Sequence, residues 1–309
     1  MHDQPPPGHL GLPVSTGRVA GSLTAMTSLS DAATARPAEP ALFAGLVDDA
    51  AVFPPGNAPL AEAVRLHRVH RASGYAACVG PLLVPASAAA ELAGLLEGAP
   101  LRVAVIGRPG TPAAEVADAV TLLRQTPGVE VAGVELGWTP DWRATDFGGL
   151  PRTLEVPRGP EQEAVVADIA AEASDSVVLQ AKFRTGATET WAWPDETELA
   201  AFVRTAVDHD LGFKLTGGLH HVVRGTHDGH DQHGLLNVLS AVRWALNGED
   251  VDELAPLLAE RDVAVLVPQI TRMSAADAAI VRAFFTAYGC CEVTDPLAEL
   301  TTLGLIQGA

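Results

Sequence analysis

From residue 41 onward, short apolar runs alternate with longer amphipathic stretches, and this alternation limits the fold more than any other feature. Eight runs stand out: 44–53 (AGLVDDAAVF), 76–84, 102–107, 131–138, 153–159, 176–186 (SVVLQAKFRTG), 211–219 (LGFKLTGGL) and 289–296 (GCCEVTDP). Helical patterns fill most of the gaps, at 60–72, 87–98, 112–125, 160–173, 195–210, 234–248, 251–260 and 274–288, and Asp295-Pro296 reads as the start of a last short helix. Strands that alternate with helices form a parallel sheet with right-handed crossovers. Eight repeats in this length match an α/β chain closed as a (β/α)8 TIM barrel. An open doubly wound sheet would carry a G-x-G-x-x-G turn after its first strand, and the chain reads VDDAAVFPPGN there. The expected organisation is a single barrel domain over 41–309, preceded by a disordered tail over 1–40, where Pro, Gly, Ser, Thr and Ala dominate without periodicity.

Charge narrows the partners. The formal net charge is −18 and no basic patch interrupts it, which argues against nucleic acid. No run of 18 apolar residues exists to span a membrane, and no secretory leader pattern opens the chain. Cys78, Cys290 and Cys291 form neither a disulfide framework nor a metal-ligand spacing, so buried thiols in a reducing, cytoplasmic setting are expected. No base adjacent in sequence would activate either member of the Cys290-Cys291 pair.

Of 20 basic residues only two are lysine, Lys182 and Lys214, and they fall late in the sixth run and within the seventh. If both point into a barrel, their amines lie close together, and each cation, like burial, disfavours protonation of the other. A lysine that sheds its proton near neutrality is a Schiff-base nucleophile, a role closed to arginine. Two other readings stand beside this one: the lysines hold a substrate phosphate or carboxylate, or they form buried ion pairs with Glu135 or Glu155.

The residues around the lysines suggest a family. Lys182-Phe183-Arg184-Thr185-Gly186 and Phe213-Lys214-Leu215-Thr216-Gly217-Gly218 resemble the K-x-x-T-G and F-K-x-x-G-G motifs on strands six and seven of deoxyribose-phosphate aldolase, a class I aldolase barrel. The resemblance covers about 40 residues and implies that Lys182 forms the imine, that Lys214 lowers its pKa, and that Gly217 and Gly218 offer backbone N–H groups to an anionic group of the substrate. It also implies a proton-transferring carboxylate on an earlier strand, for which Glu135 and Asp49 are the candidates. After the double glycine the chain departs from that pattern.

The departure is a histidine-rich segment holding His220, His221, His227, His230 and His233. Its spacing matches no established ligand motif, so a solvated loop is the plain expectation; a divalent metal bound there is the alternative to a cofactor-free enzyme. His220 and His221, nearest the strand end, are candidates for acid–base work or substrate binding. Asp48 and Asp49 interrupt the first run, and alternation allows only one of them to face a pore. Arg184, two residues past Lys182, and Arg108, after the third run, are candidate clamps for an anion, alongside Thr216.

Together these readings describe a lyase of aldolase type that forms a Schiff base with a small anionic carbonyl substrate, phosphate or carboxylate. The rivals are a metal-dependent hydrolase or lyase using the His220/His221 loop with Asp48 or Asp49, and a non-catalytic ligand-binding barrel. A homo-oligomer is compatible with the sequence.

Overall fold

The computed structural model describes residues 39–307 apart from 97, 175 and 190; the segment expected to be a disordered tail lies, up to residue 38, outside the described residues. In chain order the elements are α1 (Glu39–Phe43), β1 (Val47–Asp49), α2 (Leu60–Arg71), β2 (Val79–Pro85), α3 (Ala89–Leu95), β3 (Leu101–Ile106), α4 (Ala113–Gln125), β4 (Val129–Gly137), β5 (Arg152–Glu155), α5 (Gln162–Ala170), β6 (Leu179–Arg184) and α6 (Glu196–Asp208). Then come β7 (Phe213–Thr216), β8 (Gly225–His227), β9 (His230–Gln232), α7 (Leu235–Leu246), α8 (Val251–Ala259), α9 (Val263–Thr271), α10 (Ala275–Phe284), β10 (Phe285–Cys290) and α11 (Thr294–Thr302).

The strands close in the order β1-β10-β7-β6-β5-β4-β3-β2, every pair parallel, which is the (β/α)8 architecture expected. Among the described residues two links depart from the repeat: the one between β7 and β10 holds the hairpin β8–β9 and four helices, and the one between β4 and β5 holds no α-helix. Between β4 and β5 the chain makes only a 3₁₀ turn, Trp142–Ala144. Asp168 on α5 accepts bonds from both the Trp138 and Trp142 indoles, each at 2.9 Å, so tryptophan fills the place of a helix.

Alternation along the strands sorts the side chains. Leu82, Val84, Val103, Val105, Val134, Leu136, Leu154, Phe183 and Leu215 belong to the large apolar core between sheet and helices. The intervening positions point into the barrel, and these fall into two halves. On β1 to β3 the inner face is apolar apart from Asp48: Ala50, Leu83, Ala104 and Ile106 form a separate buried cluster, with Phe53 against it. On β4 to β7 the inner positions carry Glu135, Glu155, Lys182, Arg184 and Lys214.

Three parts of the fold differ from the sequence reading. The eighth strand is Phe285–Cys290 rather than a run beginning at 289, and the preceding helix stops at Phe284. No glycine or proline separates them, and the aromatic and β-branched stretch FFTAY suits a strand once tertiary pairing is available. The histidine-rich segment is not simply a loop. It contains the antiparallel hairpin β8–β9, turned at Asp228-Gly229, with φ of 51° and 78° at these two residues. That Asp-Gly pair is the usual residue choice for a two-residue hairpin turn. Helix α9 also went unpredicted, its β-branched, proline-containing sequence VAVLVPQIT being a poor helix signal.

Candidate active site

Six charged side chains from five strands meet inside the barrel in alternating sign: Asp48, Lys214, Glu135, Lys182, Glu155 and Arg184. Lys214 Nζ donates to both Asp48 Oδ2 and Glu135 Oε1. Glu135 spans the two lysines, since its Oε2 lies 3.1 Å from Lys182 Nζ. The same amine is 3.1 Å from Glu155 Oε2, and Arg184 Nε closes the chain at 2.9 Å from Glu155 Oε1. Glu135 on β4 and Lys214 on β7 are separated by two strands in the sheet, so their contact passes through the lumen.

The register explains the convergence. Lys182 pairs with Lys214 across β6 and β7, and Glu155 pairs with Lys182 across β5 and β6. Asp48 reaches inward because Gly80 on the neighbouring strand leaves room; a Cβ there would stand 1.9 Å from Asp48 Oδ1. Exposure rises along the cluster, from 3% for the Asp48 side chain and 5% for Glu135 to 24% for Glu155 and 31% for Arg184. The cluster therefore opens to solvent at the Glu155–Arg184 end. Gly137 lies two residues beyond Glu135 on the same face of β4 and is the register partner of Glu155. Nothing occupies the space where its Cβ would be, so the lumen has room beside Glu155.

Proton affinities follow the pairing. Burial pushes the Lys214 pKa down, but Asp48 and Glu135 outweigh it and hold the amine above the ordinary lysine value. Burial raises Glu135, yet Lys214 and Lys182 bring its carboxyl down to about 2. Glu155 is likewise lowered, its burial outweighed by Lys182 and Arg184. Asp48 moves the other way: burial lifts it, and Lys214 offsets this only in part. The like-charge repulsion expected between two neighbouring lysines is thus not what Lys214 experiences, because a carboxylate stands between them.

At the rim the loops after β6 and β7 interlock. Thr185 N–H and Oγ–H both donate to Thr216 O, at 2.8 and 3.2 Å. A Cβ on Gly186 would lie 1.6 Å from Gly217 O, and one on Gly217, which has φ of +77°, would lie 3.0 Å from Arg184. Gly218 packs on Thr185 in the same way. The glycines of both motifs thereby bring two strand ends together under the Arg184 guanidinium.

Several candidates lie elsewhere. Asp49 faces outward and bonds His67 Nδ1 on α2 at 2.9 Å; the first-strand carboxylate that meets the lysines is Asp48. Arg108 is exposed on the loop after β3. His221 Nδ1 pairs with Glu299 at 2.7 Å and its ring stacks on His227 at 3.4 Å, beside a groove of about 480 Å³ that the lysines do not line. His233 is buried between Arg224 and Pro194 O, and burial with Arg224 lowers it to about 4. His230 stacks on Trp193, and Arg158 lies over Trp191. Among the described residues no group of three or more His, Cys, Asp or Glu is placed to hold a metal ion, so the histidine segment supplies no ligand set.

His220 meets a partner the sequence did not suggest. Its Nε2 lies 3.3 Å from Cys291 Sγ and its Nδ1 3.5 Å from Asp295 Oδ2. With thiol and imidazole 71 positions apart in the chain, no local motif announces the pair.

No known family model matches the chain, nor does any curated protein sequence. Among solved structures it is similar to the deoxyribose phosphate aldolase from Aeropyrum pernix, described as having a unique tetrameric structure, at 14% identity over 86% of this chain and 93% of the other, with a TM-score of 0.37. The superposition is loose, and the barrel is established by the strand pairing itself. Among the described residues no helix is long and apolar enough to cross a membrane.

Proposed function

We propose that the barrel is a Schiff-base lyase of aldolase type, in which Lys182 attacks a small anionic carbonyl compound. The observation that carries this reading is the pair of carboxylates 3.1 Å from Lys182 Nζ, Glu135 on its buried side and Glu155 on the side of the lumen that opens toward solvent. The K-x-x-T-G and F-K-x-x-G-G motif likeness supports it. To attack, the ammonium must first shed a proton, and Glu155 is the acceptor nearer the rim. Lys182 adds to the carbonyl as the neutral amine, and the carbinolamine loses its hydroxyl as water, taking up the proton held on Glu155, to leave the iminium. Glu135, on the other side of the same nitrogen, is the base that removes a proton as the iminium draws electrons from the adjacent bond. Lys214, held protonated, fixes the orientation of Glu135, and Asp48 completes the chain behind it. Arg184 at the rim holds the substrate's anionic group.

Borohydride reduction in the presence of small phosphorylated and carboxylated aldehydes and ketones tests this. A mass increment on the peptide containing Lys182, absent in Lys182→Arg, is expected. No adduct across the panel would overturn the reading. One observation favours the bland rival, an anion-binding barrel without chemistry: Lys214 is paired on two sides and does not titrate near neutrality. That rival predicts anion binding with no reducible adduct.

A further inference from the structure

We infer that Cys291, His220 and Asp295 form a second reactive centre on the barrel rim, in which the Cys291 thiol adds reversibly to a small uncharged aldehyde. The three residues come from different segments: Cys291 follows the last residue of β10, His220 lies in the loop after β7, and Asp295 sits in the first turn of α11. The two imidazole nitrogens face different groups. Nε2 is 3.3 Å from Cys291 Sγ, and Nδ1 lies between Asp295 Oδ2 at 3.5 Å and the buried Cys290 Sγ at 3.8 Å; with the carboxylate behind Nδ1, the order is that of an imidazole that takes a proton from a nucleophile.

The neighbouring thiols are differently placed. Cys290 is fully buried, donates to Glu292 O at 3.2 Å, and burial raises its pKa well above the ordinary thiol value. Cys78 is buried, and burial raises it to about 11. Cys291 is only half-buried, and the Gly56 backbone hydrogen-bonds its sulfur. Burial still pushes the Cys291 thiol upward, with Glu292 and Asp295 adding to the effect, so its resting form is the thiol and attack requires a base. The same carboxylates disfavour an anionic electrophile, which sets this centre apart from the Arg184 rim of the lysine cluster.

In the addition, Sγ attacks the carbonyl carbon while His220 Nε2 accepts the thiol proton. A C–S bond forms as the C=O π bond opens, and the imidazolium, steadied by Asp295, returns the proton to the alkoxide. The product is a hemithioacetal, with nothing oxidised or reduced. The reading is independent of Lys182.

Iodoacetamide labelling of the full chain, read by peptide mass spectrometry, provides the test. Cys291 should be alkylated while Cys78 and Cys290 are spared. His220→Ala should slow labelling on the order of a hundredfold, and added imidazole should restore it. Asp295→Asn should slow it less, with recovery in Asp295→Glu. Propionaldehyde should protect wild-type Cys291, and glyoxylate should protect it far less. Labelling that ignores His220→Ala, or that no aldehyde slows in the wild type, would overturn the proposal; the wild-type protection assay decides the matter even where a variant fails to fold.

Discussion

Lys182 and Lys214 are register partners on adjacent strands, yet a single carboxylate, Glu135, reaches both of their amines. Charge in this lumen is arranged as a chain of opposites rather than as a focus of positive potential. The consequences can be checked residue by residue.

Removing the bridge should unsettle the interior. Glu135→Gln leaves both lysines short of a counter-charge at a buried position, where all three side chains are less than a tenth exposed. Breaking a buried pair by deleting one partner costs about 3–5 kcal/mol. For a domain of this size that lowers Tm by about 10 °C, measurable by calorimetry.

The two adjacent aspartates should separate cleanly. Asp48→Asn removes a carboxylate from Lys214 and is expected to slow Lys182 adduct formation by about a hundredfold. Asp49→Asn disturbs the outward pair with His67 and the bond that Asp49 accepts from Ala51 N–H, neither of which touches the lysines, so adduct formation should stay within about twofold while stability falls by about 1–3 kcal/mol. Equal effects on trapping would remove Asp48 from the reaction.

This distinction also shows where the sequence stops being legible. The strands β1 to β7 overlap their apolar runs because Lys182, Lys214 and their glycine-rich exits punctuate the pattern clearly. The phase of β1 does not show, because a parallel strand is buried on both faces and LVDDAAVF has no polar side to betray orientation. The boundary at Phe284-Phe285 lacks a breaker, which moved the eighth strand. Glu135 and Glu155 were visible as candidate partners, but their sharing of Lys182 depends on barrel closure. The Cys291–His220 contact is long-range, and nothing local encodes it.

Filling the lumen should block chemistry without unfolding the barrel. Gly137→Val places two methyls in the space beside Glu155. Valine suits a strand, so Tm should hold or rise, while trapping at Lys182 should fall by about tenfold or more, since misplacement of the reacting groups by an ångström can cost about a hundredfold. Undiminished trapping would mean that the substrate approaches by another route.

Mild acid should weaken the fold through His233. Its folded pKa of about 4 lies below the ordinary histidine value of 6.5, so the unfolded chain takes up the proton first. The associated stability is present above about pH 6.5 and drains away as pH falls toward 4, amounting to at most about 3 kcal/mol. Glu135 extends the loss from its ordinary value of 4.5 down toward 2. Denaturant melts of His233→Gln should show a flatter profile between pH 6.5 and 4, from a lower starting stability.

The inner wall of the barrel is divided into a hydrocarbon patch of Ala50, Leu83, Ala104, Ile106 and Phe53 and an ionic part that runs from the deeply buried Asp48 through β4 to β7, and this has a further effect. A guest with one greasy end and one charged end can lie across the mouth in only one sense. Under the proposed chemistry, which of its carbons meets Lys182 would be decided by the lining itself, before any bond is made. A guest charged at both ends, or at neither, would lose that guidance and be handled without preference for direction.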